Sequence, residues 1–124
     1  MRGVILDADS LGPDELDLTA LYKLPVDWTV YPHCLPSEVV ERIADADIVL
    51  TNKTAINAHT LAQVSQLKLI SLTATGTNII DLEAAANHGV AVCNAVGYGT
   101  ASVVQHVWAL LLALTTNLSS YSRT

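Results

Sequence analysis

Five short apolar runs punctuate the chain, at residues 4–6, 27–31, 47–50, 67–72 and 90–96, and between them lie segments with helical spacing. Runs this short and this continuously apolar suit strands covered on both faces, and alternation with helices supplies the cover. The pattern predicts an α/β fold: a doubly wound, flavodoxin-like, five-stranded parallel sheet in the order 2-1-3-4-5, ending in a long C-terminal helix. The expected helices are residues 14–22, a segment opened by Pro36 with Ser37 as N-cap, then 56–64, 81–88 closed by Gly89, and 102–118. Most of these should run eight to ten residues.

Composition narrows the function. A chain of 124 residues fits one domain, and 51% apolar against 15% charged residues excludes disorder. Twelve acidic and six basic residues give a net charge of −6, which repels phosphate backbones and anionic lipid, so neither nucleic acid nor a membrane surface is the expected partner. The longest apolar run, Val107 to Leu114, is far short of the roughly 20 residues a membrane span needs. The opening MRGVILDADS lacks the apolar stretch of a signal peptide, so a cytoplasmic protein is expected. Cys34 and Cys93, with no CxxC partner, read as reduced, buried thiols. His33, His59, His88 and His106 have no metal-ligand spacing, and no metal is expected.

The terminal helix is too apolar for one sheet to cover. Val103, Val104, Val107, Trp108, Leu110, Leu111, Leu112, Leu114 and Leu118 sweep an arc of about 200°, where a surface helix needs little more than 100°. The far side must meet a second copy or protein absent from this sequence. His106, at the edge of that arc, reads as a packing residue.

Among motifs, Gly97-Tyr98-Gly99-Thr100-Ala101-Ser102 approaches a dinucleotide-binding GxGxxG, but Ser102 stands at the third glycine and no carboxylate follows Glu83 to hold a ribose. It reads as a strand-to-helix turn with Thr100 or Ser102 as cap. Asp7 and Asp9 after the first strand read as a solvated strand end. Thr75 and Gly76 end the fourth strand where amides point outward, a nest suited to a carboxylate. No G-x-S-x-G elbow supports hydrolysis.

Residues 73–114, TATGTNIIDLEAAANHGVAVCNAVGYGTASVVQHVWALLLAL, resemble the D-isomer-specific 2-hydroxyacid dehydrogenases in the spacing of GTNIIDLEAAANHGVAVCN and of G-x-x-x-x-S-V-x-Q-H. TGT with VCNAVGYGT is most similar to the glycerate dehydrogenase, or hydroxypyruvate reductase, branch. The resemblance implies that residues 1–99 are the N-terminal part of a substrate-binding (catalytic) domain and 100–124 an interdomain helix. It implies further that the nucleotide-binding domain, the substrate-clamping Arg and the His–Glu proton donor lie beyond residue 124, so the chain alone should be inactive.

For this sequence the resemblance implies that Thr75 and Gly76 hold the substrate carboxylate, that Tyr98 and Gly99 line the cleft, that Lys53 borders the substrate, and that Thr100 and Ser102 start the helix near the cofactor. The cofactor implied is NAD or NADP in the full-length enzyme, with none bound to this chain alone. The substrate is a small 2-oxoacid such as hydroxypyruvate or glyoxylate, and the assembly is a homodimer through the C-terminal helix. Asn78 for the more usual Asp and Gln105 for Glu depart from the family pattern. The alternative is a self-contained, non-catalytic flavodoxin-like module that binds a small anion or a regulatory partner.

Overall fold

A computed structural model describes residues 1–12 and 17–121. Strands β1 (Arg2–Ile5), β2 (Asp27–Val30), β3 (Ile48–Thr51), β4 (Leu69–Leu72) and β5 (Ala91–Cys93) form one sheet in the order β2-β1-β3-β4-β5, every neighbouring pair parallel. The expected topology is present in full. Helices α1 (Thr19–Tyr22), α2 (Val39–Ile43), α3 (Ala58–Leu61), α4 (Leu82–Asn87), α5 (Thr100–Thr115) and α6 (Leu118–Tyr121) complete the fold, with a 3-10 turn over Ala8–Leu11.

Strand periodicity decides which face holds the core. Val4, Val49 and Ile70 lie side by side in register and pack with Val39 and Ile43 of α2, Leu61 of α3 and Ala85 of α4 into one buried cluster. The opposite parity places Ile48, Leu50, Leu69 and Ser71 on the second face, where all four stay half-exposed and Ala91 and Cys93 are exposed. The step from β1 to β2 runs opposite to every later step along the sheet, so the rule of right-handed crossovers assigns the β1–β2 connection to this second face and the connections carrying α2, α3 and α4 to the first. β2 sits close against its neighbour: a Cβ on Gly3 would meet the Trp28 ring at 2.4 Å.

Local sequence explains the helix starts and also their shortness. Asn57 and Asp81 cap α3 and α4 by accepting from the amides of Thr60 and Ala84, and Gly89 stops the α4 segment at φ +71°. Apart from α5 the helices span four to six residues, shorter than the expected eight to ten. α2 begins one residue later than predicted: Glu38, not Ser37, stands at the N-cap, and its carboxylate accepts from the Leu35 amide and pairs with Arg42. Residues 14–16 of the first expected helix lie outside the described residues, as do residues 122–124 and the side chain of Leu118. The long terminal helix stops at Thr115 rather than Leu118, because Asn117 takes φ +51°.

α5 departs from the globule. None of its side chains is buried, and Val103, Val107, Trp108, Leu112 and Leu114 are each more than half exposed. His106 is exposed as well and packs against no core, contrary to its reading as a packing residue. No helix among the described residues is long and apolar enough to cross a membrane.

Candidate functional site

In a parallel sheet the loops leaving the carboxyl ends of the strands converge, and amides at strand ends and helix starts point into the space between them. Here that edge carries a cavity of about 720 Å³ lined by Ser10, Leu11, Leu18, Leu50, Asn52, Lys53, Ser71, Thr73, Asn94, Ala95, Cys93 and Tyr98, among others. Cys93 is thus an exposed thiol in the cleft wall, and the expectation that it is buried does not hold: β5 is an edge strand of three residues with little over it. Cys34 is half-buried, and burial pushes its thiol above the ordinary range despite the nearby Arg42 guanidinium.

One wall of the cleft, the turn that carries Asn52 and Lys53, is organised from an adjoining hollow by Asp7. The residue is 6% exposed, so the reading of Asp7 as a solvated strand end is overturned; Asp9 is exposed as that reading supposed. The Asp7 Oδ2 accepts from the Lys53 amide at 2.7 Å, the Thr54 amide at 2.8 Å, and the Thr51 and Thr54 hydroxyls at 2.9 Å each. Its Oδ1 accepts from the Asn52 amide at 2.9 Å. Burial pushes the carboxyl up, but the amides of Lys53, Asn52 and Thr54 with the Thr51 hydroxyl outweigh it and hold Asp7 below the ordinary carboxylate value. Every donor comes from the last residue of β3 or the turn after it, more than 40 residues along the chain, which is why nothing in the first strand's own residues points to the partner. The available signal lay in Thr51-Asn52-Lys53-Thr54, a polar turn with hydroxyls at both ends and a cation within.

The turn after β4 is held from below in the same manner. Thr75 donates its hydroxyl to the Ala95 carbonyl at 2.8 Å, Asn94 Nδ2 donates to the Thr75 carbonyl at 2.7 Å, and the Ala95 amide donates to the Ala74 carbonyl. With its carbonyl and hydroxyl engaged, Thr75, like Gly76 next to it, has an amide that reaches no acceptor among the described residues, and both residues are exposed. Asn94, which sequence reasoning passed over, positions this turn.

The predicted site residues fall into adjoining groups. Lys53 and Tyr98 line the main cavity; Thr75, Tyr98, Gly99 and Thr100 line a neighbouring hollow of about 440 Å³ at the start of α5. Tyr98 is therefore the wall common to both. Gly76 is next in chain to Thr75 but lines neither, and Ser102 lies outside both on the exposed first turn of α5. Neither Thr100 nor Ser102 caps that helix: Gly99 is the N-cap, and no side chain bonds the first amides. Those amides stay available to a ligand. Among the described residues no group of three or more His, Cys, Asp or Glu side chains could hold a metal ion.

Comparison with known proteins agrees with this architecture. Residues 5–121 match the family model of the D-isomer specific 2-hydroxyacid dehydrogenase catalytic domain. The chain is 38% identical to a hydroxypyruvate reductase of Blautia hydrogenotrophica over 92% of its length and 36% of that protein's. It is 35% identical to a glycerate dehydrogenase of Methylorubrum extorquens over 96% of its length and 37% of that protein's. It therefore spans little more than a third of either relative. An acyclic imino acid reductase solved with NADPH and D-Arg superposes on the whole chain, over 40% of its own length, with TM-score 0.79 at 23% identity, a likeness of fold. The sequence match along nearly its full length, carried on the same sheet order, makes this chain a member of the D-isomer-specific 2-hydroxyacid dehydrogenase family.

Proposed function

We propose that the chain forms the substrate-binding part of an NAD(P)-dependent oxidoreductase that interconverts small 2-oxoacids, such as hydroxypyruvate or glyoxylate, and D-2-hydroxyacids. The observation that carries this reading is the pair of unbonded amides at the exposed residues Thr75 and Gly76, on the turn beside a cleft whose single charged wall residue among those described is Lys53. A 2-oxoacid brings a carboxylate that those amides can hold without a basic side chain, and the Lys53 ammonium adds attraction at the rim. Tyr98 and Gly99 close the side toward α5. Residues 1–99 are the substrate-binding unit in this reading and 100–124 the interdomain helix.

The chain's residues fit one wall of a nicotinamide cofactor. The hollow at Thr75, Tyr98, Gly99 and Thr100 is open, and the first amides of α5 lack caps, but no carboxylate follows Glu83 to bind a ribose. When bound, the cofactor supplies the hydride; this chain supplies the carboxylate cradle and the orientation of the carbonyl carbon. Proton donation to the alkoxide belongs to residues outside these 124, so the chain alone is inactive. The exposed apolar face of α5 serves a homodimer, and the protein works in the cytoplasm.

The deciding experiment assays the product of the whole gene with hydroxypyruvate and glyoxylate, against NADH and NADPH, by loss of nicotinamide absorbance. Turnover of a 2-oxoacid supports the proposal; a protein that binds oxalate but oxidises neither cofactor would instead be the non-catalytic anion-binding module.

A further inference from the structure

A carboxylate is expensive to bury, and a neutral residue could end β1 as well, so the placement of Asp7 calls for a reason in what it holds. All five of its donors come from one four-residue segment, 51–54. That segment contributes both Asn52 and Lys53 to the cleft wall. A second tie closes the loop: Asn52 Nδ2 donates to the Ser10 carbonyl at 3.1 Å, and Ser10 Oγ donates to the Asp7 carbonyl at 2.6 Å. The Lys53 amide is thus turned inward onto Asp7 while the rest of the residue is exposed and borders the cavities on both sides of the turn.

We propose that Asp7 is a positioning residue, whose carboxylate clamps the 52–54 turn so that the Lys53 ammonium is presented to the anion held in the cleft. The proposal rests on the 2-oxoacid reading given above and assigns Asp7 no contact with substrate. A long flexible side chain on an unclamped turn spreads its charge over many positions; fixing the backbone at three successive amides concentrates it at one.

Two measurements test this. In the whole enzyme, with NADH and hydroxypyruvate, Asp7→Asn raises KM for the 2-oxoacid about tenfold with kcat within about threefold, since lost orientation weakens binding of the anion. Lys53→Ala does the same, and the double variant is no worse than Lys53→Ala alone. Thr54→Val, which removes a single hydroxyl bond to Asp7, moves KM in the same direction and covers the case in which Asp7→Asn folds poorly. Asp9→Asn leaves both constants unchanged. Multiplying losses in the double variant, or an unchanged KM in Asp7→Asn and Thr54→Val, overturn the proposal.

The second measurement needs no turnover. Amide hydrogen exchange followed by NMR on this chain shows the amides of residues 52–54 exchanging at least about tenfold faster in Asp7→Asn than in wild type, while Val49 and Leu50 keep their protection. Equal exchange in the turn overturns the clamp. If wild-type enzyme turns over no 2-oxoacid, the functional reading fails and the role for Lys53 fails with it, whereas the exchange result then still decides whether Asp7 holds the turn.

Discussion

Replacing Val107 and Leu111 by Glu tests what the bare face of α5 is for. The two lie one turn apart near the centre of the apolar arc and are 58% and 47% exposed. Covering the exposed half of a Val or Leu is worth about 1 kcal/mol, half the value for burying the whole side chain. Seven such residues between Val103 and Leu114, with Trp108 counted at the same value, offer a gross gain of about 8 kcal/mol per copy, or about 16 kcal/mol for two, which exceeds the lower estimates of the cost of association. Removing two of the eight from each copy forfeits about 4 kcal/mol, and four carboxylates facing one seam add repulsion, so the dimer constant weakens by at least about three decades. Sedimentation velocity over a dilution series reads this directly: wild type sediments as a dimer and the variant as a monomer, with far-UV dichroism confirming that the sheet remains. A wild type that stays monomeric at every concentration, or a variant that dimerises as tightly, would refute the reasoning.

Three predictions concern stability. Asp7→Ala removes an acceptor from three backbone amides and two hydroxyls; the Thr54 amide keeps the Thr51 hydroxyl, the Thr51 hydroxyl keeps the Thr54 carbonyl, and water reaches the more exposed Asn52 and Lys53, so the loss is about 2 kcal/mol, seen as a lower urea midpoint at constant m. Because the folded-state value of Asp7 lies below the ordinary 3.8, its contribution is fully present above that pH and is lost as pH falls through the lower folded value; in Asp7→Asn this acid-side decline is absent from the stability profile. Gly3→Ala puts a methyl 2.4 Å from the Trp28 ring, and since backbone and indole must separate, thermal unfolding should report a loss of about 1–3 kcal/mol.

The strand pattern was readable because each apolar run answers to a single local requirement, burial against its neighbours, and the crossover rule then leaves few orders for five strands. Helix length was not, because Leu82–Asn87 and Ala58–Leu61 are bounded by caps and turns whose effect depends on the sheet beneath them. The Thr75 turn could be placed from its position after β4, yet its support by Asn94 and Ala95 arises only when β5 pairs beside it. Asp7 shows the limit most plainly. A carboxylate after a strand looks solvated until a turn from a distant part of the chain supplies donors, and nothing near residue 7 specifies them. The excess of apolar surface on α5 was legible because it is a property of one helix alone.

Gly76 separates two explanations for a glycine beside a ligand cradle. Its φ is not in the left-handed region, unlike those of Gly12, Gly89 and Gly97, so the backbone conformation does not demand glycine there. An added Cβ would meet a single atom within 4 Å, Asn78 Oδ1 at 3.0 Å, the end of an exposed side chain that can turn away. Gly76→Ala should therefore change stability by less than about 0.5 kcal/mol in urea, the scale of a surface substitution away from core, cap or strain. If the amides of Thr75 and Gly76 receive the carboxylate, the same methyl stands where the anion must approach the backbone. The variant then folds normally and raises KM for hydroxypyruvate at least about tenfold, equivalent to about 1.4 kcal/mol of binding. Destabilisation with unchanged KM would mean that the glycine serves the turn and the carboxylate is held elsewhere.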